Sequence, residues 1–173
     1  MEMQAASVLR FWEMARKVGL NICIDGGWAV DALLGRQTRQ HGDLDIALPV
    51  SQVASLRTLL GPQGFFEVAR PDSSEHNFVL RTPEGETIDV HSYELNPDGS
   101  NRAGVPYCAD HLCGEGVISG AWVRCVPPDW LVRFHTGYDV DEEDWHDVRL
   151  LCAKFNIAIP DNFHQFADAA PND

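Results

Sequence analysis

The sequence is poor in basic residues. Its 173 residues include 13 lysines and arginines against 26 aspartates and glutamates, which gives a formal net charge of -13 at pH 7. Proteins that bind nucleic acids hold the phosphate backbone with clustered lysines and arginines, and the sequence has no such cluster. We therefore expect no nucleic-acid partner. The acidic balance favours a small cationic substrate, although solubility alone also accounts for an acidic surface.

Long apolar runs and a cysteine framework are also lacking. No apolar run approaches the roughly 20 residues that a membrane span needs, and the amino-terminal segment lacks the basic and apolar regions of a signal peptide. The five cysteines are odd in number and scattered, which does not indicate disulfides. Cys108, His111 and Cys113 lie close together, but no second ligand pair follows at zinc-finger spacing. The sequence therefore predicts a cytoplasmic protein without a membrane partner.

The hydrophobic pattern predicts an α/β (α+β) protein with a helical C-terminal part. The length suits one domain, or one small domain with a helical appendage. We expect a core domain over residues 1–126 and a C-terminal helical part over 127–173, because the pattern changes to helix after Pro127. The core should hold a mixed, mostly antiparallel sheet flanked by helices. Strands are predicted at 21–25, 43–48, 65–69, 77–81, 87–93, 116–119 and 122–126, helices within 1–20 and at 28–34, 51–60, 129–135, 142–155 and 162–167, and a polar loop at 96–110.

A glycine pair and an aspartate pair carry the first functional signal. Gly26 and Gly27 separate a predicted strand from a predicted helix, so the backbone there can approach a polyphosphate at a helix N-terminus. Asp43 and Asp45 are two residues apart in a predicted strand, so their side chains share a face. Two adjacent carboxylates are costly without a cation, and Mg²⁺ binds both carboxylates and phosphates. A tight turn and a solvated strand start are the structural alternatives for these residues.

A third carboxylate strengthens the signal. Asp89 lies between apolar residues in another predicted strand, and two-metal nucleotidyl transfer uses three carboxylates. His91 shares a face with Asp89 and is expected at the edge of the same pocket, unless it is only a half-exposed strand residue. Thr38 and Arg39 lie between the glycines and the aspartates, where a cation would neutralise phosphate oxygens. A solvated loop is the alternative for these two residues.

These motifs together resemble the nucleotidyltransferase superfamily related to DNA polymerase β. The stretch IDGGWAVDALLGRQTRQHGDLD at 24–45 is similar to the small antibiotic nucleotidyltransferases of the lincosamide and aminoglycoside 2″-O groups. IDVH at 88–91, LNPDGS at 95–100 and FHTGYD at 134–139 resemble the lincosamide enzymes. GVISG at 116–120 and VRC at 123–125 resemble the aminoglycoside enzymes instead. The resemblance covers residues 20–155.

The resemblance implies a polymerase β-like core that transfers AMP from ATP, or from another nucleoside triphosphate, to a hydroxyl of a lincosamide antibiotic. An aminoglycoside 2″-hydroxyl and a macromolecule are the alternative acceptors, and a non-catalytic binding module is a third possibility. The resemblance also implies antibiotic resistance as the outcome and a homodimer as the assembly. The resemblance implies that two Mg²⁺ ions are bound by Asp43, Asp45 and Asp89, with Asp89 as the base. It implies that the nucleotide is bound by Gly26, Gly27, Thr38 and Arg39, and the acceptor by His91, His135 and Tyr138.

Overall fold

A computed structural model describes residues 2–167 and contains one eight-stranded sheet. The strands are β1 (Cys23–Ile24), β2 (Leu44–Pro49), β3 (Phe66–Val68), β4 (Asn77–Arg81), β5 (Thr87–Leu95), β6 (Asn101–Gly104), β7 (Gly114–Ile118) and β8 (Ala121–Cys125). They run in the order β3-β4-β5-β2-β1-β8-β7, and β6 pairs with β5 beside this path. Five strand pairs are antiparallel, while β1–β8 and β2–β5 are parallel. The predicted mixed, mostly antiparallel sheet is therefore confirmed.

Six α-helices flank the sheet in the part of the chain that the structure describes. Val8, Phe11 and Ala15 form the buried stripe of the first helix, at the spacing expected for an amphipathic helix. No helix among residues 2–167 is long and apolar enough to cross a membrane. The helices are α1 (Ala5–Lys17), α2 (Gly26–Leu34), α3 (Val53–Leu60), α4 (Pro128–Phe134), α5 (Glu142–Phe155) and α6 (His164–Ala167).

Helix α2 is the buried helix beside the sheet and begins two residues earlier than predicted. The Asp25 side chain caps it by accepting a hydrogen bond from the Gly26 amide, and Gly35 ends it with a φ of 74°. Residues 28–33 are buried, and α2 packs against β7, α4 and α5. Both glycines of the motif therefore lie in the first turn of a helix that is fixed on several sides.

The parallel pair β2–β5 sets the positions of the polar residues in the centre of the sheet. In this register Asp45 lies opposite Asp89, and Ala47 lies opposite His91. Side chains alternate along a strand, so the three polar side chains share one face while the apolar residues between them face the core. Asp43, which we predicted within this strand, comes one residue before it.

One strand was not predicted. Strand β6 lies within 96–110, which we predicted to be a polar loop, and it adds to the end of β5. Gly104, with a φ of 80°, approaches Ser92 so closely that a Cβ would lie 2.3 Å from its carbonyl oxygen. The division into 1–126 and 127–173 stays a prediction, and residues 168–173 of the C-terminal part lie outside the described residues.

Candidate active site

Two carboxylates and a histidine meet on the face shared by β2 and β5. His91 Nε2 lies 3.6 Å from Asp45 Oδ1 and 3.9 Å from Asp89 Oδ1. One ligand atom from each of the three residues lies within 4.8 Å of the others, and residues 2–167 contain no other such group of three possible metal ligands. The strand register therefore brings together Asp45 and Asp89, which are 44 positions apart in sequence.

Asp43 belongs to the same electrostatic environment. Burial and the neighbouring carboxylates of Asp45 and Asp89 raise its pKa to about 6. Burial also raises the pKa of Asp89, against the opposing effect of His91. Negative charge is therefore concentrated at these three aspartates, as a cation site requires.

Arg70 is a site residue that the sequence analysis missed. Its Nη2 lies 2.8 Å from Asp89 Oδ2, although Arg70 belongs to the connection between β3 and β4. Asp89 Oδ1 and Arg70 Nε are both buried and have no hydrogen-bond partner in the structure. Nothing in the local sequence around Arg70 marks it as a partner of a residue in β5.

The donor set fits a divalent cation with oxygen ligands. Asp45 and Asp89 supply carboxylates on one face, and Asp89 Oδ1 is a buried acceptor without a donor. Asp43 is not part of this cluster of possible ligands, although the charges of Asp45 and Asp89 act on it. Mg²⁺ prefers carboxylate and phosphate oxygens and is bound by only one or two side chains in many nucleotide sites. His91 is a poorer Mg²⁺ ligand. Burial lowers its pKa, but the carboxylate of Asp45, 3.6 Å from Nε2, and that of Asp89 outweigh this and raise the pKa.

The two glycines allow close packing around this cluster. A Cβ on Gly26, which has a φ of 57°, would lie 2.2 Å from Asp45 Oδ2. A Cβ on Gly27 would lie 2.4 Å from His41 Nδ1 and 2.8 Å from Arg39 Nη2. The helix N-terminus therefore rests directly on Asp45 and on the 36–42 loop, a reason for glycine that the sequence analysis did not anticipate. Its role in phosphate binding stays a prediction.

Carboxylates hold the 36–42 loop in place. The Thr38 amide and hydroxyl donate to Asp31 Oδ1 at 2.8 and 2.7 Å, and the other Asp31 oxygen lies 2.5 Å from His41 Nε2. Arg39 donates to Asp147 of α5, with 2.8 Å between Nη2 and Oδ2. The two predicted nucleotide-binding side chains therefore lie beside the start of α2, but each is already bound to a buried aspartate.

The three residues predicted for the acceptor line one cleft next to the carboxylates. The cleft has a volume of about 190 Å³ and lies between the sheet and α4. The Tyr138 hydroxyl donates to Asp144 Oδ1 at 2.7 Å, and His135 Nδ1 lies 2.7 Å from the Leu131 carbonyl oxygen. The lining residues are Asp25, Gly26, Asp45, His91, Leu131, Phe134, His135 and Tyr138.

Asp25 is a second residue whose place in the site was missed. It is buried in the cleft wall, where Oδ1 accepts from the Gly26 amide and Oδ2 accepts from the Tyr107 hydroxyl. Burial raises its pKa, although the hydrogen bond from Tyr107 acts in the opposite direction. The Asp25–Tyr107 hydrogen bond connects the start of α2 to the segment after β6. The two residues are 82 positions apart, so the local sequence does not indicate that they are in contact.

The fold matches those of solved nucleotidyltransferases. A crystal structure of a lincosamide antibiotic adenylyltransferase with lincomycin bound matches with a TM-score of 0.76 and 24% identity, over 91% of this chain and 100% of that one. ANT(2″)-Ia in complex with adenylyl-2″-tobramycin matches with a TM-score of 0.68 and 24% identity, over 88% and 89% of the two chains. At these identities the matches establish the fold.

Sequence comparison identifies the family. A family model described as aminoglycoside-2″-adenylyltransferase matches residues 7–151, and the chain belongs to this family. A lincosamide resistance protein of Staphylococcus haemolyticus is 30% identical over 74% of this chain and 81% of the relative. A 2″-aminoglycoside nucleotidyltransferase of Escherichia coli is 27% identical over 86% of both chains. The nucleotidyltransferase class expected from the motifs is thereby confirmed.

Proposed function

We propose that this protein transfers AMP from ATP to a hydroxyl of a lincosamide antibiotic and so confers resistance to it. The observation that carries the proposal is the register of β2 and β5, which pairs Asp89 with Asp45. Asp45 in turn lines a cleft together with His91, His135 and Tyr138. The similarity to the lincosamide resistance protein supports this choice of acceptor.

Asp89 is the proposed base of the reaction. It accepts the proton of the attacking hydroxyl while the hydroxyl oxygen forms a bond to the α-phosphorus of the nucleotide. The bond from that phosphorus to the bridging oxygen breaks, and pyrophosphate leaves with the electron pair. Burial favours this role, because it raises the pKa of Asp89 and so makes the carboxylate a better proton acceptor.

Asp43, Asp45 and Asp89 are the proposed ligands of two Mg²⁺ ions. When bound, the ions polarise the reacting phosphate and neutralise the charge of the leaving pyrophosphate. The chain contributes the side-by-side placement of Asp45 and Asp89, whose negative charges repel each other and help to raise the pKa of Asp43. Cation binding relieves that repulsion, so the geometry favours loading of the site.

The start of α2 is the proposed triphosphate site. The amides after Gly26 belong to the first helical turn, where backbone N–H groups and the helix dipole favour anions. The Arg39 guanidinium lies close to Gly27, because a Cβ on Gly27 would lie only 2.8 Å from Arg39 Nη2. Its positive charge is therefore near these amides. Thr38 and Arg39 are also proposed to contact the nucleotide, through hydrogen-bonding positions that are not used by Asp31 and Asp147.

The acceptor side of the cleft combines apolar and polar groups. Leu131 and Phe134 offer apolar surface, while His91, His135 and Tyr138 offer hydrogen-bonding groups. A drug with few charges and a sugar-like hydroxyl suits this combination. One observation favours the aminoglycoside alternative: the first turn of α5 is strongly acidic and begins next to Tyr138, where it would attract a polycation.

The test is incubation of the purified protein with Mg²⁺, ATP and either lincomycin or kanamycin, followed by mass spectrometry of the drug. We expect lincomycin to gain the mass of one AMP group. A product from kanamycin alone would show that the aminoglycoside alternative is correct. No adduct on either drug, from protein whose folding is verified by circular dichroism, would contradict antibiotic modification.

Asp89→Asn is the matched variant for this assay. It keeps the shape of the side chain but removes the carboxylate, so product formation should be lost while ATP binding, measured by calorimetry, is largely retained. Continued turnover by this variant would mean that another residue is the base. Homodimerisation, the cytoplasmic location and the absence of a nucleic-acid partner stay predictions, and light scattering on the purified protein tests the first.

A further inference from the structure

Arg70 occupies an unusual place at the carboxylate cluster. It reaches Asp89 from the connection between β3 and β4, with 2.8 Å between Nη2 and Oδ2. Arg70 Nε makes a longer ion pair with Asp72 Oδ1 of the same connection, at 3.5 Å. The contact with Asp89 is therefore made by one nitrogen and one oxygen, and Asp89 Oδ1 is buried without a hydrogen-bond partner. A guanidinium that served only to fix Asp89 would be expected to bind both carboxylate oxygens in a bidentate pair.

We propose that Arg70 is the resident counter-ion of the metal-free site: it neutralises Asp89 until a divalent cation displaces it from that carboxylate. The inference rests on the proposed function, because it takes Asp89 to be a cation ligand. Arg70 and the cation then compete for one carboxylate, so the arginine sets how tightly the empty enzyme binds metal.

The electrostatics of the site support this role. The positive charge of Arg70 lies near both Asp43 and Asp89 and favours the ionised form of each. Without it, only His91 beside Asp45 and Asp89, and His41 near Asp43, would oppose the negative charge of the three carboxylates.

The surroundings of Arg70 allow it to move. Its side chain is 33% exposed, and it belongs to an irregular connection rather than to a strand. Arg39 is a useful contrast within the same site, because it makes several hydrogen bonds to Asp147, whose side chain is fully buried. Movement of the Arg70 side chain breaks its contact with Asp89 and the longer one with Asp72, and neither contact is part of the strand pairing.

The test is Mn²⁺ binding to the nucleotide-free protein, measured from the electron paramagnetic resonance signal of free Mn²⁺. Arg70→Gln removes the competing charge, so its Mn²⁺ dissociation constant should fall by roughly tenfold or more, as expected for a charge in contact at intermediate dielectric. Arg102→Gln is the matched control: it makes the same change in net charge at an exposed pair with Glu94, where screening leaves little effect. Arg70→Met repeats the test if the glutamine variant does not fold.

Thermal unfolding gives a second measurement. In EDTA, Arg70→Gln should unfold at a lower temperature than the wild-type protein, and Mn²⁺ should raise its unfolding temperature by more than it raises that of the wild type. Mn²⁺ binding to Arg70→Gln that is unchanged or weaker would overturn the inference. If the wild-type protein still modifies a drug in that case, the proposed function stands. If no variant binds Mn²⁺ and no product forms, the proposed function fails and the inference fails with it.

Discussion

Replacing Gly26 with alanine should impair the candidate active site far more than it destabilises the fold. The residue has a φ of 57°, and an added Cβ would lie 2.2 Å from Asp45 Oδ2 and 2.9 Å from Asp45 Cγ. The left-handed backbone alone costs an alanine about 1–2 kcal/mol. The clash is with the end of a short side chain, so rotation of Asp45 relieves most of it. That rotation moves the carboxylate away from Asp89 and His91.

Gly35→Ala provides the matched control at the other end of the same helix. Gly35 has a φ of 74°, but a Cβ there would meet no heavy atom within 4 Å. Both variants should therefore lose about 1–2 kcal/mol of unfolding free energy from backbone strain, measured by urea denaturation. Gly26→Ala should lose up to about 2 kcal/mol more from the clash.

The rates of drug modification should differ far more than the stabilities. A displacement of about 1 Å at a reacting group can lower a rate by roughly 100-fold, which is the loss that we expect for Gly26→Ala. Gly35→Ala should keep nearly the wild-type rate, measured by mass spectrometry of the product. If the two variants had similar rates, the close approach of Gly26 to Asp45 would not matter for the site, and the reasoning would be refuted.

Two further predictions concern charges in the folded protein. Asp147→Ala leaves Arg39 without its buried partner and should lower the unfolding free energy by about 3 kcal/mol in urea denaturation. Glu143→Ala removes an exposed partner of the same arginine and should lower it by less than about 1 kcal/mol. Equal losses in the two variants would contradict this prediction. The pKa of Asp43 is raised from 3.8 to about 6 by burial and by Asp45, so its contribution favours the folded state below pH 4 and is lost as the pH rises through 6. In EDTA, Asp43→Asn should therefore stabilise the protein by about 2 kcal/mol at pH 7.5 and not at pH 4, and equal stability of variant and wild type at pH 7.5 would contradict the prediction.

The sequence could predict the parts of the fold that depend on local pattern. Strand β4 and helix α5 have the predicted bounds, because alternating and helical apolar spacings are local properties. Strand β6 was missed because Asn-Arg-Ala-Gly has no apolar alternation. It forms because the long strand β5 offers a free edge and because Gly104 can approach Ser92 closely. That cause is not local to the segment.

The same distinction applies to the candidate site. The carboxylates were predicted because their residue types stand out within apolar strands, and the structure brings Asp45, Asp89 and His91 together. Arg70 was missed because it contacts Asp89 from an irregular connection. Arg39 was expected to be available for a phosphate, but its bond to Asp147 joins residues 108 positions apart. Ion pairs of this kind are set by tertiary packing, which a single sequence does not display.

The register of β2 and β5 has a consequence for which changes in chain length the protein can tolerate. The connection between these strands includes α3, β3 and β4, and a residue gained or lost in its irregular parts can be absorbed without moving either strand. One residue gained or lost within β2 or β5 would instead shift the pairing on one side of the change. Where Asp45 lies on the shifted side it would pair with Ile88 or Val90, and the carboxylates would turn to opposite faces. Homologous genes should therefore vary in length in the irregular parts of this connection and not within β2 or β5.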